Sequence, residues 1–233
     1  MLLEVGQVTA GYGKVAVIHD ITLGVERGEC VAVLGPNNAG KSTLLKVISG
    51  LLDPRAGRVR FEGEDITADS PKRRVRRSII QVPEGRHVFA NLSVEENLLV
   101  GGLRLGDRRA RRARLAEIYG VFPPLCAMRT RLAGTMSGGE QQLLAIARGL
   151  MAEPRILLLD EPSLGLSPVA IDRVIEILAR IRDGGTTMLL IEQNAQFCFE
   201  LCRRGYVLRN GRVVIADTTE KLSTEALQRA YFA

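Results

Sequence analysis

The sequence predicts an α/β protein in which a parallel sheet is flanked by helices and accompanied by an antiparallel β subdomain and a helical insertion. Three observations predict it. Short, continuous apolar runs recur at Cys30–Leu34, Ile156–Leu159 and Met188–Ile191, helical patterns lie between them, and both ends of the chain carry β-rich segments. Continuous rather than alternating runs are expected of parallel strands covered on both faces. Their alternation with helices marks the α/β class.

The helices have readable ends. One begins at Gly40-Lys41 and stops near Gly50, and another runs through Pro168 to Ile181 and ends at Asp183-Gly184-Gly185, a favourable C-terminal stop. Tyr206–Val214 places Asn210-Gly211 between two β-rich runs, which is a hairpin signal, and the segment Leu3 to Ile18 is also strand-like. These two ends predict the antiparallel subdomain. From about Glu84 to Gly149 strand runs are scarce, and Ala, Arg, Leu and Glu dominate around Pro123-Pro124, so a helical insertion is expected. No internal repeat, low-complexity linker or long coiled coil is visible.

At 233 residues, 46% hydrophobic and 25% charged, the chain can bury one substantial core. No stretch approaches the roughly 18 uninterrupted apolar residues of a membrane span. Met1-Leu2-Leu3-Glu4 lacks the basic region and apolar block of a signal peptide, so a cytoplasmic chain is expected. Cys30, Cys126, Cys198 and Cys202 show no CxxC spacing, and only Cys198 and Cys202 can share a helical face. They read as small buried hydrophobes in a reducing compartment, and no metal site is assigned to them.

The net charge of +6 is concentrated in Lys72–Arg77 and in Arg108, Arg109, Arg111, Arg112 and Arg114. At about 100° per residue the second cluster spreads over more than half of a helix circumference, which suits a solvated face. With no Trp in the chain, base stacking has no support and nucleic acid is not expected as a partner.

The strongest chemical signal is Gly35-Pro36-Asn37-Asn38-Ala39-Gly40-Lys41-Ser42-Thr43, a GxxxxGK[ST] loop directly after an apolar strand and before a helix. A backbone folded around a phosphate needs small residues, and its N–H groups and the helix N-terminus supply positive potential. Lys41 then reaches the β and γ oxygens of a nucleotide, and the Ser42 hydroxyl is a ligand for Mg²⁺. Asn38 stands where glycine or serine is more usual. If that position has positive φ, Asn is the least costly ordinary substitute.

Such a loop needs a second, acidic element. The run Arg155–Leu159 delivers Asp160 and Glu161 at the C-terminal end of a strand, where ligand sites of α/β sheets lie. Asp160 is suited to hold Mg²⁺ through its water shell, and Glu161 to polarise the attacking water.

The segment Met136-Ser137-Gly138-Gly139-Glu140-Gln141-Gln142 resembles the signature of ABC transporter ATPases, usually written LSGGQ, with Met and Glu replacing its first and last residues. Ser137 and the Gly138-Gly139 backbone at a helix start form a second phosphate-binding end, remote in sequence from the first loop. The resemblance covers essentially the whole chain. It implies a single P-loop domain over 1–233 with a RecA-like core, about 1–85 and 149–233, and a helical subdomain, about 86–148. It also implies a head-to-tail dimer, with this chain or a sister ATPase subunit, holding two ATP molecules with Mg²⁺ at the interface. Ser137, Gly138, Gly139 and Glu140 would contact the ATP of the opposite subunit.

Further elements follow the same family pattern. Tyr12 matches the aromatic residue that stacks on adenine, and Ser163-Leu164-Gly165-Leu166 the loop that crosses the dimer interface. Two departures are informative. Glu84 aligns where the family usually has a glutamine near Mg²⁺, with Gln81 as the alternative. Gln193 replaces the histidine that usually touches the γ-phosphate, and as an amide it donates a hydrogen bond without titrating.

Val82–Arg86, Ser163–Pro168 and Ile191–Asn194 together resemble the ATPase subunits of branched-chain, or hydrophobic, amino-acid importers, whose relatives serve urea and short-chain amides. The partners implied are transmembrane permease subunits and, indirectly, a periplasmic or extracellular solute-binding protein. The implied location is peripheral, on the cytoplasmic face of the inner membrane. Two other classes compete: a regulator or nucleic-acid-associated ABC protein that never meets a membrane, and an ATP-binding module without turnover. This chain has neither the tandem domains nor the long coiled coil that the first usually carries, and Glu161 argues against the second.

Overall fold

The computed structural model describes residues 1–222. It opens with strands β1 (Leu3–Tyr12), β2 (Val15–Val25) and β3 (Cys30–Leu34), then helix α1 (Lys41–Ser49). Strands β4 (Ala56–Phe61) and β5 (Glu64–Asp65) and helix α2 (Pro71–Arg76) lead to β6 (Ile79–Val82). Helices α3 (Val94–Gly101), α4 (Arg108–Val121), α5 (Pro123–Ala127) and α6 (Gly138–Leu150) follow. Next come β7 (Ile156–Asp160), α7 (Pro168–Asp183), β8 (Thr187–Glu192), α8 (Ala195–Leu201), β9 (Arg204–Arg209) and β10 (Arg212–Thr218). Residues 223–233, expected to belong to the same domain, lie outside the described residues.

The expected parallel core is present: β9, β3, β8, β7 and β6 pair in parallel, and antiparallel β10 completes a six-stranded sheet in the order β10-β9-β3-β8-β7-β6. Its three apolar runs, β3, β7 and β8, are buried along their whole length. Because successive side chains point to opposite faces, each strand feeds two cores. Ala32, Leu34, Leu157, Leu159 and Leu190 pack under helices α3 to α8. Val31, Val33, Ile156, Leu158, Leu189 and Ile191 pack instead against α1, β1 and β2. Each fully buried Leu, Ile or Val contributes about 1.5–3 kcal/mol relative to exposure.

An antiparallel sheet is present in the order β2-β1-β4-β5, and it lies over the second face of the core. The C-terminal hairpin does not belong to it. Asn210 and Gly211 take the positive φ of 48° and 72° that a tight hairpin demands. Strand β9, however, pairs in parallel with β3, and β10 forms the outer edge of the large sheet. Val207 and Leu208 explain the choice, since both are fully buried and β9 therefore needs cover on both sides.

The segment expected to be a helical insertion contains no strand, only an isolated bridge between Ser93 and Leu132. Serines at 93 and 137 start α3 and α6 with reciprocal capping boxes to Glu96 and Glu140, a pattern legible as S-x-x-E. On α4 only Leu115 and Ile118 are buried, and Arg108, Arg109 and Arg112 lie on its exposed side. Among the described residues no helix is long and apolar enough to cross a membrane.

Candidate functional site

Strand β3 runs straight into the glycine loop, and packing dictates its small residues. A Cβ at Gly35 would meet the Leu208 carbonyl oxygen at 2.5 Å, and one at Gly40 would meet Ile18 at 2.6 Å. Gly40 also has φ 102° and caps α1 without a side chain, so the first-turn N–H groups of the helix face the loop. Asn38 has φ 66°, the conformation for which Asn was the expected substitute. Gly35, Pro36 and Ala39 form the back of the loop, where Ala39 N–H donates to the Pro36 carbonyl at 3.2 Å.

Lys41 is nearly buried, and its ammonium donates to the Gly35 and Pro36 carbonyls at 2.8 and 3.1 Å. It also stands 3.1 Å from Oε1 of Glu161. Strand β7 ends in Asp160, and Glu161 follows with φ 44°, its N–H donating to the Ile191 carbonyl at 2.9 Å. Burial, and then the charges of Glu84 and Glu161, push the Asp160 carboxyl up to about 6, against the opposing pull of Lys41. Its Oδ1 is buried with no hydrogen-bond partner. Among the described residues no three acidic side chains stand close enough to hold a metal ion by themselves. The orphaned Asp160 oxygen, with the Ser42 hydroxyl and Glu84 lining the adjoining cavity, fits a hard divalent ion that takes its remaining oxygens from nucleotide and water.

Lys41 and Glu161 meet at a cavity of 720 Å³ lined also by Tyr12, Val17, Asn37, Asn38, Gly40, Ser42, Thr43, Glu84 and Leu164, while Gly35, Pro36, Ala39 and Asp160 lie outside its lining. Tyr12 is exposed at its mouth, its ring beneath the Lys46 ammonium at 5.4 Å, and a Thr43 hydrogen bond is the chief cause of its lowered pKa. Glu84, not Gln81, reaches this cavity. Gln81 sits in β6 opposite Leu158 and lines a separate groove. Gln193 is exposed and outside the cavity lining.

The serine–glycine segment lies elsewhere, at the start of α6, and lines a second cavity of 360 Å³ with Ser137, Gly138, Gly139, Glu140, Gly165 and Arg173. Ser137 N–H donates to Glu140 at 2.7 Å, and Glu140 N–H returns a bond to the Ser137 hydroxyl at 3.3 Å. A Cβ at Gly139 would stand 2.7 Å from that of Ala170, so glycine lets α6 approach α7. The two cavities share no lining residue, yet one loop borders both: Leu164 lines the first and Gly165 the second.

Two residues were missed as functional candidates. Glu192 ends β8 as Asp160 ends β7, and this acidic end of an apolar run was its signal. Nearly buried, it accepts from the N–H groups of Ser163, Gln193 and Asn194 at 2.8, 3.0 and 3.2 Å, which ties the bridging loop to the sheet. Arg86 has φ 67°, stacks against Gly138 and donates to the Gly165 carbonyl at 3.3 Å. It joins the Glu84 loop to the second cavity, and no local pattern marks it.

A third concavity, a groove of 480 Å³, runs between α2, β6 and α6. Leu51, Val75 and Phe89 line it and are 61%, 42% and 47% exposed. Arg148 lies over the Phe89 ring at 5.1 Å. Contiguous exposed apolar side chains of this kind mark interaction surfaces.

Comparison with known proteins agrees with this geometry. The sequence profile of the ABC transporter family matches residues 18–164. The chain is 45% identical to the high-affinity branched-chain amino acid transport ATP-binding protein BraG of Pseudomonas aeruginosa, over 96% of this chain and 95% of that protein. It is 37% identical to the probable branched-chain amino acid transport ATP-binding protein LivF of Archaeoglobus fulgidus, over 95% and 94% of the two chains. The crystal structure of a nucleotide-free ATP-binding cassette from an ABC transporter superposes with a TM-score of 0.90 at 25% identity, covering 100% of this chain and 99% of that one. Likeness of this extent leaves one conclusion: the chain belongs to the ABC transporter family and is one of its transport ATPases.

Proposed function

We propose that this chain is the ATP-hydrolysing subunit of an importer of branched-chain or hydrophobic amino acids. The observation that carries the motor reading is the convergence of Lys41, Ser42, Glu84 and Glu161 on one cavity, with the orphaned Asp160 oxygen beside them. The cargo reading rests on the 45% identity to the Pseudomonas protein.

In this reading Lys41 and the loop N–H groups take the β- and γ-phosphates of ATP, and Tyr12 stacks on its adenine. Ser42, Asp160 and Glu84 hold Mg²⁺, directly or through water. The ion's contribution is to neutralise charge on the phosphate oxygens. Glu161 accepts a proton from the water that attacks the γ-phosphorus, and Lys41 stabilises the charge that develops on the departing phosphoryl group. Gln193, which does not line this cavity, is assigned an amide hydrogen bond to the terminal phosphate on the family resemblance alone.

Ser137, Gly138, Gly139 and Glu140 act on the ATP of a facing subunit, either a sister ATPase or a second copy. The separation of the two cavities in one chain supports this arrangement, because each then supplies half of a shared site. Residues 86–148 form the helical subdomain of a single domain. The groove of Leu51, Val75 and Phe89 receives a cytoplasmic segment of the permease subunits. The chain is therefore peripheral on the cytoplasmic face of the inner membrane, with the solute-binding protein acting on the far side.

The test is uptake of labelled leucine and labelled urea into vesicles that contain this chain with its natural membrane partners. Leucine uptake that is lost in Glu161→Gln supports the proposal. Urea uptake without leucine uptake would reassign the cargo to the urea and short-chain amide importers.

A further inference from the structure

Three of the four cysteines are buried, and two of them touch. Cys30 opens β3 and Cys202 follows α8, 172 residues apart in sequence, with their sulfurs 3.1 Å from each other. The contact is built into the sheet. Strand β3 pairs in parallel with β9 from Val31 opposite Arg204, and Cys202 lies two residues before that partner, so the pairing brings the end of α8 to the start of β3. Cys198, one turn earlier on α8, is fully buried and makes no comparable contact, and Cys126 lies on α5. The sequence offered only the Cys198–Cys202 spacing, because the pairing of β9 with β3 is not local.

A second observation concerns access. Cys30 lines a polar surface cavity of 450 Å³ together with Glu26, Arg27, Glu29, Arg182 and Arg203. Cys202 does not line it. Both residues are nearly buried, and Cys30 is the one of the pair that borders this cavity, with the Cys202 sulfur in contact behind it.

We propose that Cys30 and Cys202 are a reversible oxidation site, converted to an intramolecular disulfide by hydroperoxides that enter through this cavity. With hydrogen peroxide, the Cys30 sulfur attacks one oxygen, an S–O bond forms and the O–O bond breaks. The displaced hydroxide takes up the thiol proton and leaves as water. The Cys202 sulfur then attacks the sulfenic acid of Cys30, the S–O bond breaks, and a second water leaves with the Cys202 proton. Two thiols lose two electrons and two protons, and one peroxide becomes two waters. The hydrogen bond with Cys30, and then burial, push the Cys202 thiol well above its ordinary range, which disfavours it as the sulfur that meets peroxide first; its attack in the second step rests on its contact with Cys30.

The bond would close a long loop of chain with little displacement of the sheet. Its expected signature is a rise in Tm of about 5 °C or more, through restriction of the unfolded chain. The experiment is peroxide treatment of the purified full chain, followed by intact mass and peptide mapping without reductant. The expected result is loss of two hydrogens per chain, a linked peptide pair containing Cys30 and Cys202, and reversal of both the link and the Tm shift by dithiothreitol. Cys30→Ala and Cys202→Ala should each abolish the link, and Cys198→Ala should leave it. A link of Cys198 to Cys202, a link between two chains, oxidation confined to Cys126, or no linked peptide in the wild type would each overturn the proposal.

Discussion

The Lys41 ammonium is held 3.1 Å from the Glu161 carboxylate, with the two side chains only 4% and 10% exposed. The group suited to bind phosphate is thus paired with the group suited to activate water. An incoming γ-phosphate competes with Glu161 for Lys41 and is repelled by that carboxylate. Glu161→Gln removes both obstacles, and affinity for a non-hydrolysable ATP analogue should rise about 5-fold or more, on the order of 1 kcal/mol. A fluorescent-nucleotide titration of the two proteins checks this, and weaker binding by the variant would contradict it.

Asp160 gives the nucleotide-free protein a pH dependence. Its carboxyl is raised from 3.8 to about 6, first by burial and then by Glu84 and Glu161. An acid with a raised value in the folded chain binds more protons folded than unfolded, so its contribution to stability declines as pH rises from about 4 to about 6. Asp160→Asn removes that cost. Urea unfolding should show a gain of about 1–2 kcal/mol near pH 7 and little gain below about pH 4. An equal gain at both would contradict the assignment.

Ser137 has a local role and a proposed distant one. The local role is the capping box of α6, whose loss costs about 1 kcal/mol. The distant role concerns ATP held by the facing subunit. Ser137→Ala should therefore leave nucleotide affinity of the isolated chain unchanged while lowering ATP turnover of the assembled dimer at least about 10-fold. Parallel loss of both would place Ser137 in the first cavity instead.

Arg74 is 1% exposed and spends its guanidinium on backbone. It donates to the carbonyls of Asp69, Val47, Ile48, Ile66 and Thr67, and so ties the end of α1 to α2 and to the chain after β5. Arg74→Met leaves those acceptors buried without donors and should cost about 3 kcal/mol or more. A lowered urea midpoint with unchanged slope is the expected observation.

What the sequence made legible was whatever is local. The loop at 35–43, the strand ending at Asp160, the helix start at Ser137 and the Asn210-Gly211 turn each lie within one short window, and all appear where expected. Residues whose meaning depends on distant neighbours were not legible. The place of β9 beside β3, the bond of Arg86 to Gly165 and the contact of Cys30 with Cys202 arise only when the sheet closes. Strand β4 was also passed over, although Arg58-Val59-Arg60-Phe61 alternates exposed and buried side chains as an antiparallel strand should. Its run is too short to stand out beside the continuous apolar strands.

Phosphate release from ATP by the chain assembled with its membrane partners, compared between wild type and Glu161→Gln, tests the central claim most directly. Steady turnover by wild type and a loss of at least about 100-fold in the variant, with nucleotide binding retained, is the predicted result. Equal turnover by the two proteins would remove Glu161 from the chemistry, and an inert wild type would contradict the assignment of this cavity as a motor.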